Sequence, residues 1–194
     1  MNIANRHPPA YRALARERAE FAPAGYMQPE QFGYDFQDWI SPYTKGACTT
    51  GGLAIVLQDW ASEDALAAGF NECIAALGRD PTRHTNRALE RLLFEGLGTR
   101  LVDNYATNVF PYVKPGKMSA AVPQFLVNEM VKRFTVHEIR LAKPMIVLAL
   151  GKVAQAALRY AGVKCVCLPH PAARIGGFQV HLRAWQDGFG QNQK

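Results

Sequence analysis

Leu53-Ala54-Ile55-Val56-Leu57-Gln58-Asp59-Trp60 is the stretch on which the fold turns. Five apolar residues run directly into an amide, a carboxylate and an indole. A short apolar run without alternation is the pattern of a strand buried on both faces, as in parallel sheets. Asp59 then falls just past the strand's C-terminal end, where open α/β sheets bind their ligands. Three later stretches repeat the arrangement. Leu101 to Thr107 leads into Asn108, Met145 to Leu150 into Gly151-Lys152, and Lys164 to Leu168 into Pro169-His170-Pro171. Four such strands in one sheet would carry Asp59, Asn108, Gly151 and His170 along a single rim.

The intervening segments read as helices. Ser62 can cap a helix with Glu63 and Asp64 in its first turn, running to about Leu77. Gly78 to Thr85 reads as a basic loop holding Arg79, Arg83 and His84. Asn86 to Leu97 is a helix with Leu89, Leu92 and Leu93 facing in and Arg87 and Arg91 facing out. Further helices are predicted over Ala120 to His137, Gly151 to Tyr160 and Phe178 to Trp185. Strands alternating with helices give a three-layer α/β/α sandwich around a central, mainly parallel four-stranded sheet.

Ahead of this pattern, residues 1–9 look loose and residues 10–50 form a helical extension packed on the rest. Ala10 to Phe21 is rich in Ala, Arg and Glu. After the break at Pro23-Ala24-Gly25, Pro29 to Ile40 carries Phe32, Phe36, Trp39 and Ile40 at helical spacing, a stripe that suits core packing. The 194 residues fit one domain.

The net charge of +6 and sequence pI of about 9.3 suit an acidic partner such as nucleic acid or an anionic membrane, although a basic protein can lack one. The polar N-terminus is not a signal peptide, and no apolar run approaches a membrane span. Cys48, Cys73, Cys165 and Cys167 form no C-x-x-C pair and have no histidine at ligand spacing. They read as reduced thiols in a cytoplasmic protein with no metal and no cofactor.

Each rim residue offers one kind of chemistry. Asp59 supplies a negative charge or a general base. The Asn108 amide donates and accepts at once, the pattern that reads a base edge. Gly151 opens a helix whose free N–H groups suit an anion. His170, between two prolines, is a rigidly placed donor. Turn chemistry is the plain alternative for Asp and Asn taken singly.

At these positions the chain resembles the uracil-DNA glycosylase superfamily, in its Gln-Asp branch and without an iron–sulfur cluster. Leu57-Gln58-Asp59-Trp60 is similar to the first motif and Thr107-Asn108-Val109 to the uracil-recognising Asn motif. Leu150 to Gln155 is similar to the Gly-x-x-Ala-Gln helix start, and Leu168-Pro169-His170-Pro171-Ala172 to the His-Pro-Ser motif. Order and spacing agree from roughly Gly52 to Gly188.

The resemblance implies a monofunctional DNA glycosylase of base excision repair. Such an enzyme hydrolyses the N-glycosidic bond of uracil in single- or double-stranded DNA by base flipping, acts as a monomer and leaves an abasic site. Asp59 would activate water and stabilise the sugar cation, and the backbone at Gln58 would bind the base. Asn108 would pair with the uracil edge, and His170 would donate to uracil O2. Gly151, Lys152, Arg174 and Lys114 would contact DNA, with Arg174 as the wedge, as in the single-strand-selective branch. Lys117 and Arg83 are further phosphate candidates. Phe70 is expected to stack on uracil, with His84 or Trp60 in its place otherwise.

The chain also departs from the family. Trp60 stands for a proline, Ala61 for the tyrosine that blocks the thymine methyl, and Ala172 for serine. Trp60 could block that methyl or pack into the core. Two other readings compete: a slow or inactive superfamily member that binds DNA or abasic sites, and an unrelated α/β enzyme binding a phosphorylated small molecule at Gly151.

Overall fold

A computed structural model describes residues 9–36, 41, 43 and 51–191. Its centre is a four-stranded, wholly parallel sheet of order β2-β1-β3-β4, with β1 at Leu53–Ser62, β2 at Tyr105–Lys114, β3 at Ile146–Leu150 and β4 at Val166–Leu168. Side chains of β1 alternate between two cores, as strand geometry requires. Ile55 and Leu57 pack with Leu89, Leu92 and Leu93 of helix α4 (His84–Leu97) and with Trp185 of helix α8 (Phe178–Gly190). Ala54 and Val56 face the other layer, made by α5 (Gln124–Met130), α6 (Val136–Ala142) and α7 (Lys152–Tyr160). The three-layer α/β/α sandwich expected from the apolar runs is therefore present.

Several boundaries differ from expectation. β1 and β2 are ten residues each and continue through polar positions, so Asp59, Trp60 and Asn108 lie inside strands rather than past their ends. They are held there because β1 and β2 keep pairing to Ser62↔Lys114, through a bulge between Asp59 and Ala61. Against β3, by contrast, the β1 ladder ends at Val56↔Ala149. Pro111 sits within β2 at no cost to the sheet interior because β2 is an edge strand.

The helix expected from Ser62 to Leu77 is two pieces, α2 (Glu63–Leu66) and α3 (Glu72–Leu77), with Gly69 at φ 95° between them. Ser62 occupies the cap position without a side-chain cap bond. The Asn71 side chain instead caps α3, accepting from the N–H groups of Cys73 and Ile74. The helix expected over Ala120 to His137 starts at Gln124 and widens into a π-helical turn at Val131–Thr135 before α6.

In the N-terminal extension, α1 (Pro9–Glu20) docks through Tyr11, Leu14 and the buried Arg18, whose guanidinium pairs with Glu138 of α6. Pro29–Phe32 is a single 3₁₀ turn ended by Gly33 at φ 82°, not a long helix. Tyr34 and Phe36 beyond it enter the core, while Trp39 and Ile40 lie outside the described residues.

Candidate active site

With strand order β2-β1-β3-β4, the chain leaves β1 toward one edge of the sheet and leaves β3 toward the other. That reversal opens a crevice at the carboxyl ends of β1 and β3, the position at which doubly wound sheets bind ligands. A cleft of about 830 Å³ lies there. Leu57, Gln58 and Asp59 line it from β1, and His170, Ala172 and Arg174 from the loop after β4. The rest of the lining includes residues that motif reasoning left aside: Tyr43, Thr85 and Asn86, with Met118 and Ser119 after β2.

Asp59 is almost enclosed, its side chain 6% exposed, and its two oxygens differ. Oδ2 accepts from Lys114 Nζ at 2.8 Å and from Gln58 Nε2 at 2.8 Å. Oδ1 receives no hydrogen bond from the described residues and is the atom left for the cleft. Lys114 is 1% exposed, and its ammonium also donates to the carbonyls of Met118 and Ala120. Its expected role as a phosphate contact is therefore corrected: a lysine shut inside the protein by three acceptors cannot reach a DNA backbone. Lys117, Lys152, Arg83 and Arg174 are exposed, as a phosphate contact requires.

His170 is held in one tautomer. Its Nδ1 accepts from the Ala172 N–H at 3.1 Å, so in the neutral ring the proton sits on Nε2. Burial pushes its pKa below the ordinary imidazole range. The Asp59 carboxylate opposes that shift and His181 adds to it. The loop carrying His170 is anchored from behind, where Trp185 Nε1 donates to the Pro169 carbonyl at 3.0 Å.

Gly151 explains how the β3 and β4 ends meet. Its φ is 86°, its N–H donates to Leu168 O at 2.9 Å, and a Cβ there would lie 2.9 Å from the His170 Cβ. Only glycine admits both the conformation and the contact. Gly151 and Lys152 start α7 beside His170, as the sequence suggested.

Three expected base-binding residues stand elsewhere than supposed. Asn108 is 2% exposed and pairs in register with Leu57, but its side chain does not line the cleft. Its Oδ1 and Nδ2 are both buried with no hydrogen-bond partner among the described residues. Trp60 contributes to the cleft wall, but its indole belongs to the core. It is 9% exposed, donates from Nε1 to Gly78 O at 2.7 Å, and meets Tyr34 and Phe36 edge-on. Of the two readings given for Trp60, its packing matches the core one, while the residue also borders the cleft. Phe70 is corrected, being 60% exposed, stacked on Tyr34 at 5.2 Å and not among the cleft residues. His84, the other expected ring, does line the cleft at the first residue of α4.

Tyr43 and Asn86 form the part of the site that the sequence did not announce. The Tyr43 hydroxyl donates to Asn86 Oδ1 at 2.5 Å, and Asn86 Nδ2 donates to Asp80 O at 2.7 Å. Burial raises the phenol's pKa, so Tyr43 stays a neutral donor. Their partnership spans 43 positions, and neither residue carries a local motif.

Among the described residues, no group of three or more His, Cys, Asp or Glu side chains could hold a metal ion, and no helix is long and apolar enough to cross a membrane. Cys73, Cys165 and Cys167 are free thiols, and Cys48 lies outside the described residues. The chemistry offered by the cleft is thus a carboxylate with one uncommitted oxygen and a neutral imidazole N–H, the pair needed to stabilise opposite charges in one bond cleavage. In comparisons with known proteins, the sequence matches no protein-family model and no curated protein.

Proposed function

We propose that this chain is a monofunctional DNA glycosylase that hydrolyses the N-glycosidic bond of uracil in DNA and leaves an abasic site. The observation that carries the reading is the pairing of Asp59 Oδ1, free of the donors that occupy Oδ2, with a His170 ring whose proton is directed to Nε2. Departure of uracil leaves positive charge on the sugar and negative charge on the base. The carboxylate stabilises the first and orients water, while the imidazole N–H donates to the base oxygen that takes up the second. A neutral histidine suits this task, and burial favours neutrality.

Asn108 adds support from energetics. A buried amide with neither atom paired costs roughly 1–3 kcal/mol, and such a group is retained where a ligand can satisfy it. Uracil's N3–H and O4 match an amide's C=O and NH₂. Leu57, the cross-strand neighbour of Asn108, borders the cleft and Asn108 does not, so a side-chain rearrangement must open the amide to a flipped base. Arg83 and Arg174 border the cleft with exposed positive charge for phosphates, and Lys152 is exposed at the start of α7. Free thiols suit a cytoplasmic protein, and a monomer acting on DNA needs no more than this one site.

A second reading is favoured by one observation: Phe70 lies away from the cleft, and of the rings expected in its place His84 borders the cleft while Trp60 packs into the core. That arrangement suits a binder of DNA or abasic sites with slow or no turnover. One assay separates the two. A uracil-containing oligonucleotide is incubated with the protein and treated with hot alkali. Strand breakage at the uracil supports the glycosylase. A gel shift without breakage supports the binder, and neither result removes both.

A further inference from the structure

We propose that Lys114 is a positioning residue of this site: it holds the Asp59 carboxylate by one oxygen, ties the Met118–Ser119 wall to it, and takes no covalent part in the reaction. The inference rests on the glycosylase reading for its kinetic consequences, but the clamp itself is a statement about the folded protein.

A lysine ammonium has three N–H donors and no acceptor. Lys114 Nζ has three acceptors, namely Asp59 Oδ2, Met118 O and Ala120 O. All three protons are used, and the nitrogen has no lone pair to offer an electrophile. A lysine that forms a Schiff base must be a free amine. Attack on the sugar C1′ would require Lys114 to give up a proton, form the N–C1′ bond as the base departs with the glycosidic pair, and break three hydrogen bonds inside the protein. The contacts favour the opposite role.

Two links give that role content. Asp59 Oδ2 carries both of the carboxylate's hydrogen bonds, from Lys114 and Gln58, and this fixes which oxygen remains for the cleft. The carbonyls of Met118 and Ala120 bracket Ser119, and Met118 and Ser119 line the same cleft as His170. One buried cation therefore ties the carboxylate to the Met118–Ala120 segment of the cleft lining. Lys114 and Asp59 are 55 positions apart and meet because β1 and β2 stay paired, through the bulge after Asp59, to their last residues.

The test is a double-variant cycle on the full chain, using Lys114→Met, Asp59→Asn and both together. Lys114→Met alone strands a buried carboxylate and should lower Tm on the order of 10 °C. The double variant, neutral at both positions, should recover most of that loss. With single-turnover excision of uracil from a synthetic oligonucleotide, Lys114→Met should slow the chemical step by on the order of 10²-fold. Its affinity for the same oligonucleotide and the salt slope of binding should be unchanged, since Lys114 touches no phosphate.

In the Asp59→Asn background, Lys114→Met should change the rate less than about threefold, because its effect passes through the carboxylate. Additive effects on rate, or a lower salt slope, would overturn the proposal. So would a covalent DNA adduct trapped by borohydride in the wild type and lost in Lys114→Met. If Lys114→Met does not fold, the comparison of Asp59→Asn with the double variant still decides the matter. If the wild type excises nothing, the glycosylase reading fails while the Tm cycle still accepts or rejects the clamp.

Discussion

Two buried ion pairs flank β2, and they are built differently. On the α6 side, Glu138 pairs with Arg18 at 3.2 Å through one oxygen and accepts from the Thr107 hydroxyl at 2.5 Å through the other. Both oxygens are occupied, and the pair fastens α1 to the body of the protein. On the cleft side, Asp59 pairs with Lys114 at 2.8 Å, but the same oxygen also accepts from Gln58 and the second oxygen accepts from no described residue. Thr107 and Lys114 both belong to β2, so one strand contributes to the closed cluster and to the open one. A pair that exhausts its own hydrogen-bonding capacity is architectural. One that leaves an acceptor beside a cavity is equipped for chemistry.

The contrast can be broken most forcefully at Asp59. Asp59→Asn should reduce excision by on the order of 10²–10⁴-fold with DNA binding retained, as expected of a positioned acid–base group. Single-turnover rates within threefold of wild type would place Asp59 outside the mechanism. At the closed pair the outcome should invert. Glu138→Gln leaves Arg18 charged and buried, so stability to urea should fall by about 3–5 kcal/mol, while excision per folded molecule stays near wild type. A large loss of rate without loss of stability would erase the distinction.

Asn108 sharpens it further. Asn108→Leu replaces an unpaired buried amide with an apolar group of similar size and should stabilise the fold by about 1–3 kcal/mol while abolishing uracil excision. A lower Tm would mean that the amide is satisfied within the protein.

The smallest effect concerns acid. Burial holds both His170 and His181 below the ordinary imidazole range, so each takes up a proton more readily in the unfolded chain, near pH 6.5. Their contribution to stability is complete above that value and is lost as the pH falls through the lower folded values. Burial raises the Glu138 carboxyl, with Arg18 and Thr107 opposing, and this acts in the reverse sense on acidification. The difference between wild type and His181→Phe isolates the imidazole. The Tm of His181→Phe should fall less than that of wild type between pH 7 and pH 5, and an equal fall in both would remove His181 from the account.

The sheet was legible because parallel strands buried on both faces leave uninterrupted apolar runs such as Leu53–Leu57 and Ile146–Leu150. Strand length was not, because β1 and β2 stay paired through Gln58, Asp59, Asn108 and Lys114, which by type alone suggest loops. The rim residues Asp59, Gly151 and His170 could be read from position. Their connections could not. The Lys114 side chain is assigned to the surface on composition until the Asp59 contact is known. Trp60 and Phe70 offer equivalent rings on paper, and only packing shows one donating to Gly78 and the other resting outside on Tyr34. The Tyr43–Asn86 contact joins two segments with no motif between them.

The unequal lengths of the strands leave one more mark on the molecule. Since β3 stops beside Val56 while β1 runs on, the flank of β1 that β3 would cover is open from Leu57 to Asp59, where those residues face the cleft. Leu57, Gln58 and Asp59, like every residue but proline, each carry one amide hydrogen and one carbonyl oxygen on the main chain. A ligand gripped along that half-strand would be read by main-chain atoms that substitution to alanine leaves in place. Alanine scanning would therefore undercount its contacts, and replacing single peptide links with esters would reveal them.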